Sequence, residues 1–178
     1  DPDHISFFRN SEGELYFIEV LSTTVGGYVI SSSVMTPTFA DINNDGNMDF
    51  FTCNSTLGTV NYYENTGIVD NVPQLVFISA NWQGIDIVSY NCNAGTQLDD
   101  RHGAAAITFI DLEADGDLDL SWGDYYQQSL YIILNSGSPE LPDLNEVTSQ
   151  YPPENPIISS GQNMPTFAEV DGDGDEQL

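Results

Sequence analysis

The chain has 178 residues, 40% of them hydrophobic, enough for one ordinary domain with a core. Its 28 acids face only two bases, Arg9 and Arg101, giving a formal charge of −26. That balance argues against nucleic acid as a partner and disfavours anionic membrane surfaces, and no apolar run approaches membrane-span length.

β-Branched and aromatic residues fill short runs between Gly, Asn and Pro, and helical periodicity is scarce, so the chain reads as all-β. Strands are expected at Ile5–Phe8, Leu15–Val20, Thr38–Ile42, Asp49–Cys53 and Thr59–Glu64. Further strands are expected at Leu75–Ser79, Ala106–Asp111, Leu118–Trp122, Leu130–Leu134 and Thr166–Val170. The stretch Ser138–Gly161, rich in Pro, Ser, Asn and Glu, reads as a long connection, and such loops carry binding on rigid scaffolds.

Between these strands one acidic, glycine-centred loop recurs three times: Asp41–Asp49, Asp111–Asp119 and Glu169–Gln177. Each follows a short apolar run, such as Pro37-Thr38-Phe39-Ala40 or Pro165-Thr166-Phe167-Ala168. Calcium takes six to eight oxygens in a flexible shell. Side chains at positions 1, 3 and 5 can converge as the backbone curls, and a glycine at position 6 permits the sharp turn. Position 7 offers a carbonyl and position 9 a closing carboxylate. In the first loop these positions are Asp41, Asn43, Asp45, Asn47 and Asp49. In the second they are Asp111, Glu113, Asp115, Asp117 and Asp119, where Glu113 is a longer arm. The third offers Glu169, Asp171, Asp173 and Asp175, but Gln177 takes the closing position. Two Ca2+ sites and a weaker third are therefore expected. An EF-hand is not implied, because its Glu at position 12 is missing and the flanks favour strands. A plain acidic hairpin turn would need only one or two such residues. Three copies in one register favour the cation.

A second element repeats with the loops. Val60-Asn61-Tyr62-Tyr63-Glu64-Asn65-Thr66-Gly67 begins 19 residues past the start of the first loop, and Leu130–Gly137 begins 19 past the second. Ile5–Gly13 looks like the same element from an earlier unit. Each is a strand ending in Asn-(Ser/Thr) with Gly close behind, which is turn chemistry. The unit then reads strand, acidic loop, strand, turn, strand, Asn-Gly turn, strand. Four antiparallel strands in the 70- and 58-residue spacings between loops match a propeller blade.

The combination Thr38-Phe39-Ala40-Asp41-x-Asn43-x-Asp45-Gly46-x-x-Asp49 with the later Tyr-Tyr-Glu-Asn-Thr-Gly resembles the FG-GAP/VCBS repeat family, which includes the integrin α-subunit head. The resemblance implies a β-propeller of seven or eight four-stranded blades, with calcium in the hairpin between a blade's first two strands. Residues 1–36 would be the end of a preceding blade and a linker. Residues 37–105 and 106–164 would be two full blades, and 165–178 the start of another. The chain is thus expected to be part of a longer propeller, with the other blades supplied by the rest of that chain. The function expected is a non-catalytic, calcium-stabilised module, secreted or at the cell surface, that binds a protein or glycan. Part of a propeller-type polysaccharide lyase or dehydratase is the alternative, and a passive scaffold in a large surface protein is a third reading.

Other candidates carry less. Asp99-Asp100-Arg101-His102 reads as a solvated loop, and Trp82, Trp122 and Tyr125-Tyr126 read more as core packing than as sugar platforms. Neither His nor Cys has zinc-ligand spacing. The sequence leaves open whether Cys53 and Cys92 are bridged.

Overall fold

The computed structural model of this chain describes residues 4–31, 36–54, 59–85, 104–124, 130–144, 146–148, 151–152, 154–159 and 163–168. Among these residues the protein is all-β, built of antiparallel sheets, with a single 3-10 turn at Trp82–Gly84. Strands β1 (Ser6–Ser11) and β2 (Glu14–Val20) form a hairpin. A four-stranded meander follows: β3 (Thr38–Ala40), β4 (Asp49–Asn54), β5 (Thr59–Val69) and β6 (Val72–Ser79). A second meander holds β7 (Ala104–Ile110), β8 (Asp119–Asp124), β9 (Leu130–Leu134) and β10 (Glu146–Thr148).

Strand alternation explains how the first meander is covered on both faces. Successive side chains point to opposite sides, so Phe50 and Phe51 part company, yet both are fully buried. Phe50 joins Leu21, Val29, Tyr63 and Leu75 under the N-terminal segment. Phe51 joins Cys53, Val60, Tyr62 and Trp82, which meet Ile107, Leu120, Trp122, Tyr131 and Ile133 of the second meander. The sheets therefore stack face to face. Each such buried aromatic or aliphatic side chain contributes about 1.5–3 kcal/mol. Both tryptophans belong to this core and are buried, so neither presents a ring to a sugar.

The turns are set by local chemistry. Glu12 and Gly13 (φ 55° and 87°) close β1–β2, and Asp70 and Asn71 (φ 52° and 65°) close β5–β6, both left-handed pairs as two-residue hairpins require. This corrects the reading of Asn65-Thr66-Gly67 as the hairpin turn. That triplet is a bulge inside β5, where the register with β6 shifts between Asn65 and Ile68. Asn65 Oδ1 accepts the N–H groups of Gly67 (3.2 Å) and Gln74 (3.3 Å), replacing ladder bonds and letting the strand run on.

The stretch Ser138–Gly161 is also not simply a connection. Ser138 and Leu141 bridge in a tight turn, and Glu146–Thr148 pairs with Ile132–Leu134 as the fourth strand. The β-branched pair Val147-Thr148 suits that edge. Thr166 and Phe167 lie outside any strand, and Val170 lies outside the described residues. Asn163 packs on Gly123 of β8, where a side chain would collide with it.

Candidate functional site

The first two acidic loops have the same architecture. Asp41 Oδ1 and Oδ2 accept the N–H groups of Asp45 and Gly46, both at 2.9 Å. Asp111 does the same for Asp115 (3.0 Å) and Gly116 (2.9 Å). Position 4 is left-handed in both loops, at Asn44 (φ 54°) and Ala114 (φ 56°). Position 6 is Gly46 (φ 87°) or Gly116 (φ 95°), a region that other residues enter only with strain. The first carboxylate thus fixes the curl that brings positions 3, 5 and 7 to one side.

Position 9 faces inward. Asp49 is fully buried; its Oδ1 accepts Asn65 N–H at 2.7 Å and its Oδ2 accepts the Tyr62 hydroxyl at 3.2 Å. Asp119 accepts Asn135 N–H at 2.7 Å and Leu112 N–H at 2.9 Å. The loop pattern predicts a closing cation contact for both and does not predict this grip on a backbone 16 residues downstream. The signal was present: Asp49 to Asn65 and Asp119 to Asn135 have the same spacing. Burial pushes the Asp49 carboxyl up to about 6, against the opposing pull of Asn65 N–H and Tyr62. Burial likewise raises Asp119, opposed by its two N–H donors.

The loops differ at their centres. In the first, Asn43 Oδ1 accepts Asp45 N–H, and Asp45 Oδ1 accepts both the backbone and side-chain N–H of Asn47. In the second, Asp115 Oδ1 accepts Asp117 N–H at 3.2 Å, but the Asp117 side chain turns inward and is 5% exposed. Its Oδ1 is buried with no hydrogen-bond partner. It borders a hollow of about 320 Å3 lined by Glu113, Asp115, Asp117, Asn135, Ser136 and Gly137. Burial, then the charges of Asp115, Asp119 and Asp111, push its carboxyl up to about 6.

The acidic side chains at the hollow, Glu113, Asp115 and Asp117, offer only oxygen, the chemistry of a hard divalent cation. A buried carboxylate oxygen without a donor carries an uncompensated desolvation cost, and a cation is one way to remove it. The loop pattern predicts a backbone carbonyl donor at Asp117, and its inward side chain has no sequence signal. Among the described residues no group of three or more His, Cys, Asp or Glu side chains is assembled in metal-holding geometry. The third loop, with Glu169, Asp171, Asp173 and Asp175, lies outside the described residues. So do Cys92, Asp99–His102 and Tyr125-Tyr126.

Between the two loops runs a larger groove of about 760 Å3. Its lining includes Met48, Phe109 and Leu118 with Asp41, Asp111 and Glu113. Among the described residues no helix is long and apolar enough to cross a membrane. Comparison of the chain with protein-family models, curated proteins and solved structures finds no match.

Proposed function

We propose that this chain is a non-catalytic, calcium-stabilised binding module of FG-GAP/VCBS type, acting outside the cell on a protein or glycan partner. In this reading the two stacked meanders are neighbouring blades of a β-propeller, and calcium holds the acidic hairpin that joins each blade's first two strands. The observation that carries the reading is the unpartnered, buried Oδ1 of Asp117 beside Asp115 and Glu113. Asp111, Glu113, Asp115 and Asp117 would hold the ion in the second loop, and Asp41, Asn43 and Asp45 in the first. A bound dication offsets the like-charge repulsion of the loops and ties them to the sheet. At about 100 times its Kd, calcium would add about 2.7 kcal/mol to folding stability by linkage.

Titration calorimetry of the metal-stripped chain with calcium, with a thermal melt at each end point, tests this. Saturable binding with a rise in Tm is expected, and Asp117→Asn should lose one site while keeping the fold. Absence of binding at millimolar calcium together with an unchanged melt in EGTA would sink the cation reading.

A further inference from the structure

The groove between the two acidic loops has a composition that selects its occupant. Part of its lining is apolar: Met48, Phe109 and Leu118 face it, and Phe109 packs against Phe51 at 4.6 Å between ring centroids. The rest of its lining is anionic, with Asp41 and Asp111 at the heads of the loops and Glu113 exposed beside them. Its volume of about 760 Å3 lies in the range of binding clefts. Met48 is 52% exposed although it is a large apolar residue.

The geometry points to this groove as the docking site for a lysine- or arginine-rich segment of a partner protein. The inference deepens the binding-module reading above and rests on it. A basic side chain is an apolar stem with a charged head. The stem would lie on Met48 and Leu118, and an arginine head would also find the Phe109 ring, whose face attracts cations. With the ions bound, the heads would meet the net negative charge left on the two loops, since Asp41, Asp111 and Glu113 also serve the cations. A dication in each loop does not erase this field, because the second loop alone carries five acids. A second copy of the chain is a poor occupant, since it brings 28 acids and only two bases. An acidic glycan is repelled for the same reason.

Fluorescence anisotropy of labelled peptides against the full chain in excess calcium tests the inference. A lysine- and arginine-rich peptide should bind, a neutral peptide of equal length should not, and affinity should fall with salt as exposed charges are screened. Global charge alone could mimic this, so two variants with the same charge change separate place from total. Met48→Lys puts a cation in the groove lining and should weaken binding at least tenfold. Leu15→Lys, at a 70% exposed position on the N-terminal hairpin, should change it less than twofold. Equal effects from the two variants, or equal binding of basic and neutral peptides, would overturn the proposal. Melts in EGTA and calcium on the same samples report separately on the cation reading, so calcium binding without peptide selectivity defeats the groove alone.

Discussion

Asp49 accepts the backbone N–H of Asn65 at 2.7 Å, and the same pairing recurs between Asp119 and Asn135 in the other meander. Each asparagine reciprocates by donating its side-chain amide to the carbonyl just before the aspartate, Met48 or Leu118. Each Oδ1 then gathers two further N–H groups: Gly67 and Gln74 at the β5 bulge of one sheet, Gly137 and Asp143 in the turn after β9 of the other. The acidic loop, the strand after it and the β5 bulge, or in the second meander the turn after β9, are thereby locked to one another. A cation held in the loop would be coupled to the sheet through this hub.

Replacing Asn65 by Ala removes one donor and one shared acceptor and strands the Gly67 and Gln74 N–H groups. At about 1 kcal/mol for each lost bond, Asn65→Ala should cost about 3 kcal/mol in denaturant unfolding. Thr66→Ala next door removes only an exposed hydroxyl bond to Gln74 and should cost under about 1 kcal/mol. Equal losses would mean that the hub is not what holds the bulge.

Asp49 and Asp117 both sit near 6 in the folded protein, against an ordinary carboxylate value of 3.8. Between about pH 4 and pH 6 the folded state therefore binds more protons than the unfolded chain, so stability falls as pH rises through that window. Metal-stripped protein in EGTA should show a higher Tm at pH 5 than at pH 7, the reverse of ordinary acid lability. Asp49→Asn, which removes one of these buried charges, should flatten part of the slope. With calcium present the slope should weaken or invert, because protons compete for its ligands. A Tm that falls from pH 7 to pH 5 in EGTA would contradict the burial of these carboxylates.

The all-β class and most strands were legible because Val, Ile, Phe and Tyr runs bounded by Gly and Asn fix them locally. The loop curl was legible for the same reason, since Asp41, Gly46 and their counterparts interact within five residues. What stayed hidden depends on contacts distant in sequence. Asn65 looks like a turn residue until its partner Asp49 is placed opposite it. Glu146–Thr148 is too short to read as a strand until β9 offers it an edge. The inward turn of Asp117, unlike its counterpart Asn47, leaves no pattern in the chain.

Gly123 in β8 lies against the backbone carbonyl and Cβ of Asn163, with no room for a side chain. Gly123→Ala must displace Asn163, and overpacking of this kind typically costs about 1–3 kcal/mol. The expected readout is local: limited proteolysis should cut near residues 154–168 faster in the variant. Unchanged cleavage would mean that this segment does not depend on β8.

Cys53 on β4 is a free thiol in the core between the stacked meanders, 3% exposed, with its pKa pushed up to about 12 by burial. Thiolate, the reactive form, is therefore scarce at pH 8 while the sheets stay together. In a Cys92→Ser chain, a thiol-specific chromogenic reagent should leave Cys53 unmodified in native buffer and react fully in denaturant. Native labelling should proceed only at the rate at which the meanders separate or unfold. If stacking of the two sheets is as tight as Phe51, Trp82 and Trp122 make it, that rate should track global unfolding across a denaturant series. Fast labelling in native buffer would instead show that the two sheets part without unfolding.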